Sequence, residues 1–234
     1  EGGMLQPGFE SFVGVYPLTT RYGLTPGEFA RLANEEQQIG CTLHVLPVQG
    51  WRRKMLFPET GLTWMMPSPA IPHFETALLY PGVCLAEATN LSEGRGTSAP
   101  FELIGAPFIN GAALTTRMNA LKLPGVAFTA AYFTPSASKH ANQRCEGVHI
   151  HLTDTKAFDT IRTGTALLYA IREMYSAAFA LRQPENEHAL LPINRLTGSD
   201  VLAGEWPDFD ALMTRWERES AAFKARAAKA YLYE

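Results

Sequence analysis

The stretch GVHIHLTDTKAFDTIRTGTALLYAIREMYSAAFAL, residues 147–181, sets the class of the fold. Its opening alternates: Val148, Ile150 and Leu152 fall on one side, His149 and His151 on the other. Period two with one apolar face is a strand buried on one side. After Asp154 and Thr155, either of which can cap a first helical turn, the period changes. Phe158, Ile161, Leu168, Ile171, Tyr175 and Phe179 then line one side of a helix over about residues 156–181. Working outward, strands and helices mix without a regular βαβ alternation. The expected class is therefore α+β, a mixed sheet with several packed helices.

Toward the N-terminus, VAFTAAYF (126–133) reads as a strand. Residues 111–121 read as a helix, with Gly125 as its stop. Phe74–Tyr80 is a short helix. In TPGEFARLANEE, Thr25 with Glu28 forms a capping box and Pro26 takes the first helical position, so a helix spans about 26–37, with Phe29, Leu32 and Ala33 as its apolar stripe. Residues 12–16 and 42–48 are β-rich and read as strands. Residues 50–72 hold Trp51, Trp64, Met65, Met66 and prolines at 67, 69 and 72, which forbid regular structure there. Toward the C-terminus, a loop over 183–198 leads to a last helix carrying Phe209, Leu212, Met213, Trp216 and Phe223 at helical spacing.

The composition excludes several function classes. A net charge of −3 supplies no basic field to attract nucleic acid or an anionic membrane. The longest apolar run, residues 165–181, is broken by Arg172 and Glu173, so no bilayer span is expected. Cys41, Cys84 and Cys145 form no CxxC pair, which argues against a zinc ribbon; one disulfide is compatible with the count. His149 and His151 have a spacing that suits a metal on a strand, but Cys145 on the same face lies roughly 13 Å from His149. A solvated strand face is the expected reading. Arg215, Glu217, Arg218 and Glu219 read as a solvated helix face, and Arg52, Arg53 and Lys54 as a surface turn.

One segment stands apart. CLAEATNLSEGRGTSAPFELIGAPF (84–108) is too polar for a core strand and too broken for a helix. Gly94 and Gly96 flank Arg95, so the backbone can turn tightly and present the guanidinium from a fixed loop. That planar fork suits a carboxylate. Glu87, Thr89, Asn90, Ser92 and Thr97 add acceptors and hydroxyl donors suited to sugar hydroxyls or amides. An alternative stays open on the residues alone: Asn, Ser and Thr cap turns, and Glu87 can hold Arg95 as a pair that merely rigidifies the loop.

The fuller segment YPGVCLAEATNLSEGRGTSAPFELIGAPF (80–108) resembles the DUF1343 family, the exo-β-N-acetylmuramidases of the NamZ type. Other pieces agree in order: EGGMLQPGFESFVGVYPLTTRYGLTPGEFARLAN (1–34), PSPAIPHFETALLYPG (67–82), YFTPSASKHANQRCEGVHIHLTD (132–154), RTGTALL (162–168) and LPINRLTGSD (191–200). The resemblance implies that residues 1–234 form the C-terminal, cleft-forming domain of a two-domain glycosidase. The N-terminal Rossmann-like domain, with its PEHG-type Glu-His motif and proposed catalytic glutamate, is not recognised here; NEHALL (186–191) does not match that motif. The chain start lacks a Met, a basic leader region and an apolar one, and reads as the interior of a longer protein.

The resemblance implies removal of a terminal N-acetylmuramic acid from the non-reducing end of peptidoglycan fragments, with no metal or organic cofactor, in a periplasmic or extracellular setting. It implies that Arg95 pairs with the lactyl carboxylate while Asn90, Ser92 and Thr97 take hydroxyls or amide, with Thr89, Glu93 and Gly96 completing the site. It makes Glu87 the first candidate for a second acidic group, followed by Glu93 and Glu102. Trp51 or Trp64 is a candidate for stacking on a sugar ring, against the alternative that both fill the core. The partners expected are a peptidoglycan-derived sugar and the N-terminal domain. A non-catalytic carbohydrate-binding or scaffolding module is the rival reading.

Overall fold

A computed structural model describes residues 1–234. Helix α1 spans Pro26–Glu36, α2 Phe74–Val83, strand β1 Leu103–Ala106, α3 Gly111–Ala120, β2 Val126–Phe133, β3 Cys145–Leu152, α4 Thr160–Met174, α5 Pro192–Thr197 and α6 Phe209–Ala227. The class is α+β. The sheet has the order β1-β3-β2 and is antiparallel throughout rather than mixed, with Leu103 opposite His149 and Thr129 opposite His149 from the other side.

The strand that opened the sequence reading is thus the central one. Val148 and Ile150 turn into the main core, where they meet Ile104, Leu114, Met118 and Phe128. Helix α4 lies against this core with Ile161, Leu167, Leu168 and Ile171 buried. A second, smaller core joins the N-terminal segment to the end of α6 through Tyr16, Leu24, Leu32, Phe223 and Ala227. The capping box at α1 forms as read: Thr25 Oγ1 accepts from Glu28 N and Glu28 Oε2 accepts from Thr25 N.

Several expectations are corrected. Helix α4 starts later and ends earlier than residues 156–181. Its cap is Asp159, which accepts from Arg162 N at 2.9 Å, while Asp154 closes the preceding turn by accepting from Lys156 N. Beyond Tyr175 the backbone leaves the helix, because the Asn90 side chain takes the Ala178 carbonyl and the Ala180 amide. Residues 42–48 make no strand: no neighbouring chain offers a ladder, and Leu46 and Val48 are exposed. Residues 12–16 make no strand either; Ser11 and Gly14 close a tight turn instead. The 84–108 segment, read as a loop, contains a 3-10 turn at Cys84–Ala88 and the edge strand β1. The loop read over 183–198 contains α5. All three cysteines are free.

Candidate active site

The 84–108 segment is held by its own hydrogen bonds. Thr89 Oγ1 donates to Ala86 O and accepts from Leu91 N. Ser92 Oγ accepts from Gly94 N, and Thr97 Oγ1 donates to Gly94 O and accepts from Ala99 N. These local side-chain bonds are turn chemistry, and they occupy the hydroxyls the sequence offered for ligand contact. Asn90 is likewise committed to the chain beyond α4. Gly94 and Gly96 have φ of 77° and 81°, and a Cβ at Gly96 would lie 2.5 Å from Ala137 N. The double glycine therefore lets the turn be left-handed and lets the loop over 134–144 pack directly on it.

That second loop contributes residues the sequence reading passed over. Lys139 Nζ donates to Ala86 O at 2.8 Å and Thr89 O at 3.0 Å, and pairs with Glu93 Oε2 at 2.8 Å. His140 Nε2 lies 2.6 Å from Asn90 O. Ser138, His140 and Asn142 all have left-handed φ, between 58° and 68°, a strained conformation for non-glycine residues that persists only where the surroundings hold it. Burial pushes the Lys139 ammonium below its ordinary range, opposed by Glu93.

Arg95 emerges from this cradle. Its Nη2 and Nε reach Glu87 Oε1 at 2.8 and 3.2 Å, its Nε lies 3.4 Å from Glu93 Oε1, and its guanidinium covers the Phe101 ring at 5.0 Å. The side chain remains 39% exposed, so one edge of the guanidinium faces outward. The two sequence alternatives are therefore both present in part: Glu87 orients Arg95, and the pair stays at the surface. Glu93 is buried beneath it, between two cations. Glu102 is elsewhere. It accepts from Thr76 Oγ1 and lies 3.6 Å from His149 Nε2. The His149 and His151 rings lie 4.2 Å apart in a tilted arrangement, and His151 Nε2 meets Thr129 Oγ1 at 2.8 Å. The two-histidine face is thus a bonded cluster rather than a bare solvated surface.

A crevice of about 410 Å³ lies on the other side of Tyr80 and Cys84, lined by neither Glu87 nor Arg95. One wall is the N-terminal segment, with Phe12, Tyr16, Tyr22 and Phe29; the other is Tyr80, Cys84, Arg195 and Thr197. Its size and mostly apolar lining suit a small ligand. Tyr80 joins the crevice to the pair. Its ring packs edge-on against Phe101 at 4.9 Å, and its phenol is pushed up by burial and by the charges of Cys84 and Glu87, against Arg95. Burial also pushes the Cys84 thiol up to about 12, so it stays protonated at neutral pH.

Trp51 and Trp64 are half-buried against aromatic rings of the chain itself. Trp64 lies between Phe57 and Phe74 and donates to Pro72 O; Trp51 packs edge-on against Tyr233. Neither lines this crevice. Arg53, read as part of a surface turn, binds the fully buried Glu28 and donates to Gly23 O at 2.7 Å. On α6 the Arg215–Glu219 pair forms as read, but Glu219 also accepts from Met4 N at 2.8 Å and so ties down the segment that walls the crevice.

Comparison with known proteins follows this division. The family model described as "Exo-beta-N-acetylmuramidase NamZ, C-terminal" matches residues 78–233, and the one described as "Exo-beta-N-acetylmuramidase NamZ, N-terminal" matches residues 1–75. The chain is 46% identical over 179 residues to the peptidoglycan beta-N-acetylmuramidase NamZ of Bacillus subtilis (strain 168), covering 76% of this chain and 43% of that protein. Two crystal structures of DUF1343 family proteins from Bacteroides fragilis NCTC 9343 superpose over 100% of this chain and 62% of theirs. Their TM-scores are 0.89 and 0.69, at 27% and 24% identity. The chain thus spans less than half the length of the curated relative. With both family models matched in order along its length, the chain belongs to the NamZ exo-β-N-acetylmuramidase family.

Proposed function

We propose that this chain forms one side of the substrate cleft of a glycoside hydrolase that removes terminal N-acetylmuramic acid from peptidoglycan fragments. The observation that carries the reading is the crevice itself. It lies between residues matched by the N-terminal family model and residues matched by the C-terminal one, with Tyr80 leading to Glu87 and Arg95. Hydrolysis of a glycoside calls for a proton donor and a second group across the sugar ring. In this reading Glu87, half-buried and oriented by Arg95, is the acidic group from this chain. The other carboxylate comes from a further portion of the family's N-terminal unit. Thr89, Asn90, Ser92, Glu93, Gly96 and Thr97 act by shaping the loop that presents the pair.

The test is hydrolysis of a chromogenic N-acetylmuramic acid glycoside by this chain alone and after addition of the rest of the family's length. Activity only after addition, lost in Glu87→Gln with the fold retained, is the expected result. Binding of muropeptide without hydrolysis in both samples would establish the non-catalytic module instead.

A further inference from the structure

We propose that Arg195 is the carboxylate-recognising residue of the crevice, a role that no residue is otherwise free to take. The site does not depend on the sugar reading; only the identity of the sugar rests on it. Arg195 stands on α5, which packs directly on the 3-10 turn that carries Glu87. Its side chain is 19% exposed and lines the crevice. A guanidinium so enclosed is costly unless anions or carbonyls surround it. Arg53, Arg95, Arg162, Arg215 and Arg226 each donate to a carboxylate or carbonyl of the chain. Arg195 donates to none. Its one anionic neighbour is Glu185 Oε1 at 3.9 Å, beyond hydrogen-bond reach and on a side chain 80% exposed.

The unpartnered nitrogens are not sealed in protein, and the residue that carries them lines the crevice. Arg95, by contrast, is already neutralised by Glu87 and Glu93. A planar fork of donors beside the apolar surfaces of Phe12, Leu18 and Tyr80 takes a ligand bearing one carboxylate on a compact apolar stem. The partly dry walls strengthen that contact relative to open water.

The experiment follows the Arg195 Nε–H resonance of this chain by NMR during titration with D-lactate and, separately, D-lactamide. A saturable shift with lactate and none with lactamide is expected. Arg195→Gln should weaken lactate binding about tenfold or more, with unchanged circular dichroism, and Arg195→Lys should fall between. Absence of a shift, an equal shift with lactamide, or a response abolished by Arg95→Gln but not by Arg195→Gln overturns the assignment. A second titration compares N-acetylmuramic acid with N-acetylglucosamine. Lactate binding at Arg195 without preference for the acidic sugar would overturn the proposed substrate and leave the carboxylate site standing.

Discussion

Glu93 lies buried between Arg95 Nε at 3.4 Å and Lys139 Nζ at 2.8 Å, and its loss would leave the Lys139 ammonium enclosed without a counter-charge. Breaking a buried pair costs about 3–5 kcal/mol. Urea unfolding of Glu93→Gln should show a loss of that order, and Glu93→Gln combined with Lys139→Met should recover part of it. Losses in Glu93→Gln and Lys139→Met that simply add in the double variant would mean the pair is not coupled. A second residue-scale prediction concerns pH. Burial and the hydrogen bond to Glu36 push the Tyr16 phenol from its ordinary 10 up to about 12. Between those values the unfolded chain has released the proton and the folded chain holds it, so stability is fully present below pH 10 and falls as pH rises toward 12. Tyr16→Phe should flatten that alkaline limb, as read by thermal melts from pH 9 to 12. At this scale the glycines around Arg95 were legible, because the left-handed turn they permit is a local property. The role of Asn90 was not: its amide serves a ligand or a backbone equally well, and only the approach of residues 178–180 decides which.

Elements meet most closely where α2 crosses α4. A Cβ at Gly164 would lie 2.2 Å from Gly82 C, and one at Gly82 would lie 1.8 Å from Thr160 O. Thr160 Oγ1 completes the crossing by donating to Leu79 O and accepting from Gly82 N. Gly164→Ala must therefore part the two helices, at about 3 kcal/mol and a melting temperature lower by roughly 10 °C. Gly204→Ala, where added carbon meets nothing within 4 Å, should melt close to the parent chain. Similar melts for both would refute the close crossing. Helix α1 was legible to its caps because Thr25, Pro26 and Glu28 act within one turn. The strand expected over 42–48 failed for the opposite reason: β-propensity is realised only where a neighbouring strand supplies the ladder, and none does.

On the scale of the whole molecule, Phe12, Val15, Leu46, Val48, Met65 and Met66 are exposed, and all fall within residues 1–75, the part matched by the N-terminal family model. So many exposed large apolar side chains within one stretch of the chain point to a part that packs against something else. The chain alone should raise the fluorescence of an apolar dye, and addition of the rest of the family's length should suppress it. An unchanged signal would mean that these side chains are not where that portion packs. The amino-acid sequence by itself determined the α+β class, the capped helix α1, the strands β2 and β3 and the polar segment at 84–108, since periodicity, caps and turn glycines act over a few residues. Tertiary structure alone decided that Glu102 joins His149 rather than Arg95, that Lys139 fills the space beneath the loop, and that Arg195 opens onto a crevice walled by Phe12 and Tyr80. Each of these depends on segments far apart in the chain, and whether a charge is neutralised or left free is set by which distant partner packing brings within about 3 Å.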